Sequence, residues 1–393
     1  WDGYIYSNPD TAYILAQDML RFADEKSYPI AKAKAYKLMG VSKKERSNYS
    51  EALDYYKKSL LINEKINDIE GIARNLTNIG IIYYKQGDYS KALDYYQRSL
   101  KIKEEIEDKK GIASTFNNIG MIYYKQGDYS KALESYQHSL KIKEEIEDKK
   151  GIGNTINNIG IIYKDQGNFN KALEYYQRSL KIKEEIEDKK GIGITINNIG
   201  NIYKQQEEYS KALECYQRSL KIIKEIGEKK GTANTIINIG NIFHIKKEYD
   251  RALEYYKKSL KIKEEIEDKV GIAISNINIG LLYFEQKNYI KSMKYCNKAK
   301  IISEEIGSLI AERNACECLY ETYKAQGITN EALLYLEKLN IIKDSLNAQE
   351  IGKKLQQMEF QKQVMKDSLA REKVIQLEKQ KKEEIIQAKK RQN

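Results

Sequence analysis

The chain has 393 residues, 32% charged and 41% hydrophobic, with a formal net charge of +11. No apolar run reaches the ~18 residues that a membrane-spanning helix needs. From Lys353 on, twelve Lys and Arg face six Asp and Glu, a net +6, which leaves only +5 for the first 352 residues; a body so nearly balanced lacks the broad basic surface of a nucleic-acid binder.

In chain order, the first feature is a start at Trp1 rather than Met. We expect a chain cut at its N-terminus, with Trp1 to Tyr6 the end of a helix severed in its middle and residues 9–27 the helix that follows. The two prolines are Pro9 and Pro29, so nothing from residue 30 onward forbids long helices. A block of forty residues then recurs. Glycine falls at 40, 80, 120, 160, 200, 240 and 280, and alanine twelve residues later at 52, 92, 132, 172, 212 and 252, with Ala332 closing the series. Eight units fit, from about 33–72 to 313–352, and Ala12 keeps the same register. A period of this length marks a stack of small identical units rather than one globule.

One unit, 73–112, shows the rule. Ile72, Ile79 and Tyr83 lie at helical spacing, with Gly80 in mid-helix. That glycine costs up to ~1 kcal/mol against alanine, which a neighbouring helix pressed close to its backbone explains. Gly87 ends the helix and Asp88 caps the next. The second helix, from about Tyr89 to Ile106, turns Tyr89, Ala92, Leu93, Tyr96, Leu100 and Ile102 or Ile106 inward. Lys101, Lys103, Glu104, Glu105, Glu107, Lys109 and Lys110 are read as its solvated face, with i,i+4 pairs such as Lys101–Glu105. Asp108 caps the following helix.

The sequence Asn-Ile-Gly-x-Ile-Tyr, then Gly-Asp-Tyr/Phe, Lys-Ala-Leu-x-x-Tyr and Ser-Leu resembles the tetratricopeptide repeat, and its longer 40-residue subclass. The framework residues of one unit are Ile79-Gly80, Tyr83, Ala92, Tyr96 and Ser99. The resemblance covers about residues 9 to 345 and implies an all-α fold, a right-handed superhelix of helix-turn-helix repeats. Its domains are a truncated repeat at 1–32, eight units over 33–352, and a long charged helix over 353–393. Lys43, Ser292 and Tyr320 depart from the pattern near the ends, as capping repeats do.

The resemblance also implies where a ligand goes. First helices line the concave surface, and unit positions 2, 5, 6, 9 and 12 face it, counting from residues 33, 73, 113 and so on. Position 6 is Asn78, Asn118, Asn158, Asn198, Asn238 and Asn278; position 5 adds Asn117, Asn157 and Asn197; position 9 adds Asn201 and Asn241. Amides both donate and accept, so this ladder is the candidate grip on the backbone of an extended peptide. The other reading is that the position-6 amides bond neighbouring helices, since buried amides must be satisfied. Thr77, Ile237 and Ile277 complete position 5, so the groove reads as polar in its middle and apolar toward one end. Position 5 carries no lysine, which speaks against an acidic chain end as partner.

Catalysis finds no support in the residues. His138 and His244 are far apart, no His/Cys/carboxylate cluster has metal spacing, and no nucleophile is paired with a base. Cys215, Cys296, Cys316 and Cys318 have no disulfide-framework spacing and read as thiols. We therefore expect no catalytic residue, no metal, no cofactor and no nucleic acid. The tail repeats a sparse apolar stripe (Ile351, Leu355, Met358, Met365, Leu369) and reads as a weak coiled coil able to form a homodimer. It ends in Lys389-Lys390-Arg391, a basic end suited to membrane proximity. The layout resembles the sensor half of bacterial membrane signalling proteins of cyclase or histidine kinase type. That implies a peptide- or protein-binding sensory domain on the extracytoplasmic side of the inner membrane. The alternative is a freestanding cytoplasmic scaffold.

Overall fold

The protein is described by a computed structural model that covers residues 9–46, 48–348 and 351. All the regular structure in them is helical: α1 (Pro9–Glu25), α2 (Pro29–Glu45), α3 (Tyr49–Lys65), α4 (Ile69–Gln86), α5 (Tyr89–Glu105), α6 (Lys109–Lys125), α7 (Tyr129–Glu145), α8 (Lys149–Asp165), α9 (Phe169–Glu185), α10 (Lys189–Gln205), α11 (Tyr209–Glu225), α12 (Lys229–Ile245), α13 (Tyr249–Glu265), α14 (Lys269–Glu285), α15 (Tyr289–Glu305) and α16 (Leu309–Ala325). A last helix, α17, spans 329–348. The tail helix expected over 353–393 and the severed helix at Trp1 to Tyr6 lie outside the described residues.

The described helices follow one another as helix-turn-helix repeats of a solenoid fold and divide into two compact units, one up to residue 262 and one from residue 263. Even-numbered helices open each repeat and are called A here; odd-numbered ones close it and are called B. From α1 to α12 each A helix packs on the B helix after it and that B helix on the next A helix, and α14, α15 and α16 pack in the same succession.

Turn chemistry sets the helix ends. Asp68, Asp88, Asp108, Asp128, Asp148, Asp188 and Asp268 each accept a backbone N–H three residues on, satisfying donors that a helix start leaves free. Glu208, before α11, makes no such side-chain bond. The turn between helices needs one left-handed residue. Gly87 supplies it at φ +80°, whereas Glu207, Lys247 and Lys287 hold that conformation at φ 61°, 60° and 59° without being glycine.

The mid-helix glycines are explained by a ring. A Cβ on Gly160 would lie 2.7 Å from Cε1 of Tyr176, and Gly40, Gly80, Gly120, Gly200 and Gly240 face Tyr56, Tyr96, Tyr136, Tyr216 and Tyr256 in the same way. The expected close approach of two helices is thus a B-helix tyrosine ring pressed against the A-helix glycine. Serines close the joint: Ser99, Ser139, Ser179 and Ser219 donate at 2.7–2.8 Å to the carbonyls of Ala73, Ala113, Gly153 and Gly193.

Two expectations are corrected, on Lys103 and on the cysteines, and the choice between Ile102 and Ile106 falls to the half-buried Ile102. Lys103 is not on the solvated face: it is buried, as are Lys143, Lys183 and Lys263. Ile106 is instead 37% exposed, because the helix turns position 31 rather than position 34 toward the next A helix. On the charged face, ion pairs tie the start of an A helix to the end of the B helix after it, Lys109 to Glu145 at 3.3 Å and Lys149 to Glu185 at 3.7 Å, within one repeat and at little energy each. In the second unit Cys296 and Cys318 are joined as a disulfide. Spacing gave no sign of it. Cys296 takes the place of the framework tyrosine over Gly280, and Cys318 stands at position 6 of the next repeat, where earlier units have asparagine.

Candidate functional site: an amide ladder on the A helices

The A helices carry the asparagines that the sequence singles out. Asn157 is 6% exposed. Asn78, Asn117, Asn118, Asn158, Asn197, Asn198, Asn201, Asn238, Asn241 and Asn278 are half-buried. A 17-residue A helix presents positions 5, 6 and 9 within about two turns, so within the first unit these amides share one surface.

They are bonded to one another across repeats. Asn158 Nδ2 donates to Asn117 Oδ1 at 3.3 Å, Asn198 Nδ2 to Asn157 Oδ1 at 3.2 Å, and Asn238 Nδ2 to Asn197 Oδ1 at 3.1 Å. Position 6 of one unit therefore ties into position 5 of the unit before it. This is the inter-helix role that competes with ligand binding. It uses only part of each amide, because Asn157 accepts through its oxygen and Asn198 donates through its nitrogen. Asn201 and Asn241 accept from the hydroxyls of Tyr216 and Tyr256, both at 2.8 Å. In the second unit Asn278 lines a cleft of about 350 Å³ with Ile277, Leu281, Phe284, Asn314 and Glu317, more apolar than the ladder, as positions 5 and 9 imply.

Beneath the ladder lies a feature that the sequence reading placed on the outside. Lys143 Nζ donates to Thr155 Oγ1 at 2.8 Å and Lys183 Nζ to Thr195 Oγ1 at 2.9 Å. Lys103 Nζ reaches both Thr77 and Thr115 at 2.9 Å. Thr155 and Thr195 in turn donate to Asn117 Oδ1 at 3.4 Å and Asn157 Oδ1 at 3.3 Å. Burial holds the Lys103 and Lys143 ammonium groups below the usual lysine range, opposed by Asp108 and Asp148, and brings Lys183 down to about 8. A signal for these lysines was present. Position 31 reads Lys103, Lys143, Lys183, Ile223, Lys263 and Ser303, and isoleucine in that series marks the place as interior.

The tyrosines behave as framework. Tyr96 and Tyr176 are buried, and the half-buried Tyr83 stacks on Tyr95, as Tyr163 does on Tyr175. His244 faces the Tyr256 hydroxyl at 3.2 Å and His138 stacks on Phe116. No group of three His, Cys, Asp or Glu side chains able to hold a metal occurs among the described residues, and no described helix is long and apolar enough to cross a membrane.

Models of the tetratricopeptide repeat match residues 32–105, 111–185, 192–265 and 273–304. The chain belongs to the tetratricopeptide repeat family. No curated protein sequence matches it. Solved structures share the fold at low identity. A Rap protein complexed with competence and sporulation factor is 17% identical with TM-score 0.59, covering 87% of this chain and 94% of that one. The apo quorum sensor NprR from B. thuringiensis is 15% identical with TM-score 0.59, covering 86% and 99%. A STAND signal-transduction ATPase with a tetratricopeptide repeat sensor, from Pyrococcus horikoshii, is 17% identical with TM-score 0.58. It covers 88% of this chain and 55% of its own.

Proposed function

We propose that this tetratricopeptide array is a non-catalytic peptide- or protein-binding domain, and that it serves as the sensory or regulatory part of a bacterial signal-transduction protein. The ligand lies extended along the A-helix surface of the first unit. The observation that carries this is the amide ladder, in which Asn117, Asn157 and Asn197 are fixed by bonds from Asn158, Asn198 and Asn238 while all of these but Asn157 stay half-buried, within reach of a ligand. Amides held this way are pre-organised, so a peptide backbone meets them at little entropic cost. The regulatory role is supported by the names of the structural neighbours, a quorum sensor and a repeat sensor. A homodimer through residues 353–393, and membrane proximity of their basic end, belong to the same proposal.

The test starts with peptides selected from a random phage-displayed library against the full chain. Their affinity is then measured for the wild type and for the Asn157/Asn197/Asn201→Ala triple variant. We expect at least a tenfold loss, about 1.4 kcal/mol. Unchanged affinity in a folded variant would remove the ladder from the binding surface.

A further inference from the structure

We infer that the floor of the ladder is built for anions, so that the extended ligand carries an acidic segment over Lys103, Lys143 and Lys183. This rests on the groove reading above and names the chemistry of its partner. It departs from what position 5 alone indicates, because the positive charge comes from the B helices and rises from below.

Three observations carry it. First, the three ammonium groups are buried, yet the partners of their Nζ atoms among the described residues are threonine hydroxyls, not carboxylates. Buried charges are ordinarily paired. The facing carboxylates, Asp108, Asp148 and Asp188, are N-caps whose oxygens accept from Gly111, Gly151 and Gly191. Second, the fold does not need the charge. Ile223 fills the same position in the next repeat, equally buried, and packs where Gly193 leaves room. A lysine in three successive repeats, where isoleucine serves in the fourth, is a choice of chemistry.

Third, the charge is relayed to the surface. Lys143 donates to Thr155, Thr155 to Asn117 Oδ1, and Asn158 donates to that same oxygen. Lys183, Thr195, Asn157 and Asn198 repeat the chain. With its oxygen receiving two donors, the half-buried Asn117 has its N–H side left to offer a ligand, one that also reaches Met121 Sδ at 3.9 Å, and hydrogen bonds in such a chain polarise one another. Lys143 and Lys183 each make one side-chain hydrogen bond among the described residues, of the three that an ammonium can donate. The surface is thus rich in donors over a row of buried cations, which suits carboxylates. A peptide fits better than a nucleic acid, because single strands bind through exposed aromatic platforms and Tyr136 and Tyr176 are buried as framework here.

The experiment uses fluorescein-labelled decaglutamate, decalysine, a Gly-Ser decamer and a ten-residue oligouridylate. Each is titrated by anisotropy into the full chain, the Lys143→Ile/Lys183→Ile variant and the Ile223→Lys variant, all checked by circular dichroism. We expect decaglutamate to bind at least tenfold more tightly than the others. It should lose about tenfold or more in the double isoleucine variant and gain affinity in Ile223→Lys. Equal decaglutamate affinity for wild type and double variant overturns the inference, since it places binding on exposed lysines or the basic tail. Tighter oligouridylate binding lost in the same variant also overturns it, in favour of nucleic acid. If the phage-selected peptides are neutral and lose affinity in the asparagine triple variant but not in the lysine variant, the groove reading stands and the acidic preference fails.

Discussion

Replacing Lys183 by isoleucine should stabilise the protein at neutral pH. Lys183 is 2% exposed and among the described residues its ammonium is held by Thr195, with its pKa brought down from 10.5 to about 8 by burial. A drop of about 2.5 units at about 1.36 kcal/mol per unit makes the charged form about 3 kcal/mol worse in the folded chain than in the unfolded one. The sign follows from proton binding. Above pH 8 the folded state sheds the proton first, so the penalty is full below pH 8 and fades as pH rises toward 10.5. Isoleucine removes the penalty, at about 0.4 kcal/mol of helix propensity and the loss of one donor to Thr195, which still donates to Asn157. A net gain of about 1–3 kcal/mol is expected at pH 7, in the range seen when buried charges give way to apolar residues. Urea midpoints for wild type and variant at pH 7 and 9.5 provide the assay. The gap between the two should narrow at the higher pH. A variant destabilised by more than about 1 kcal/mol at pH 7, or a gap that ignores pH, would refute the placement of an unpaired ammonium inside this joint.

Other perturbations test the frame. Ser179→Ala deletes a 2.7 Å bond to the Gly153 carbonyl inside the hairpin and should cost about 1 kcal/mol, read as a fall in urea midpoint that Ser→Ala at an exposed site does not give. Glu207→Gly relieves a left-handed residue at φ 61° in the turn where other units carry glycine. It should add about 0.5–1 kcal/mol, while the same change at Glu214, inside α11, should destabilise by about 1 kcal/mol. Reducing the Cys296–Cys318 bond, 22 residues apart in sequence, should lower the stability of the second unit by about 3 kcal/mol, with hydrogen exchange quickening there first.

Much of the fold was legible because each signal was local. Asp88 and Asp108 announce helix starts and Gly87 a stop, and the glycine at position 8 implies a close neighbour. What remained hidden depended on which helix the neighbour is. The ring over Gly160 comes from Tyr176, sixteen residues on, and no periodicity names it. Lys103 looked solvated because charge outweighed phase in reading α5, although it lies four residues after the buried Ser99. The asparagines were legible as a ladder, but not their pairing from position 6 of one unit to position 5 of the unit before it, which spans 41 residues. The disulfide was invisible because cysteine stands once for tyrosine and once for asparagine in the repeat pattern.

The central claim is that an extended peptide lies on the A helices of the first unit. Hydrogen–deuterium exchange of the full chain, with and without a phage-selected peptide, measures this most directly. The account predicts protection on α6, α8 and α10, around Asn117, Asn157 and Asn197, with α5, α7 and α9 unchanged. Protection confined to the B helices, or none on the first unit, would contradict it.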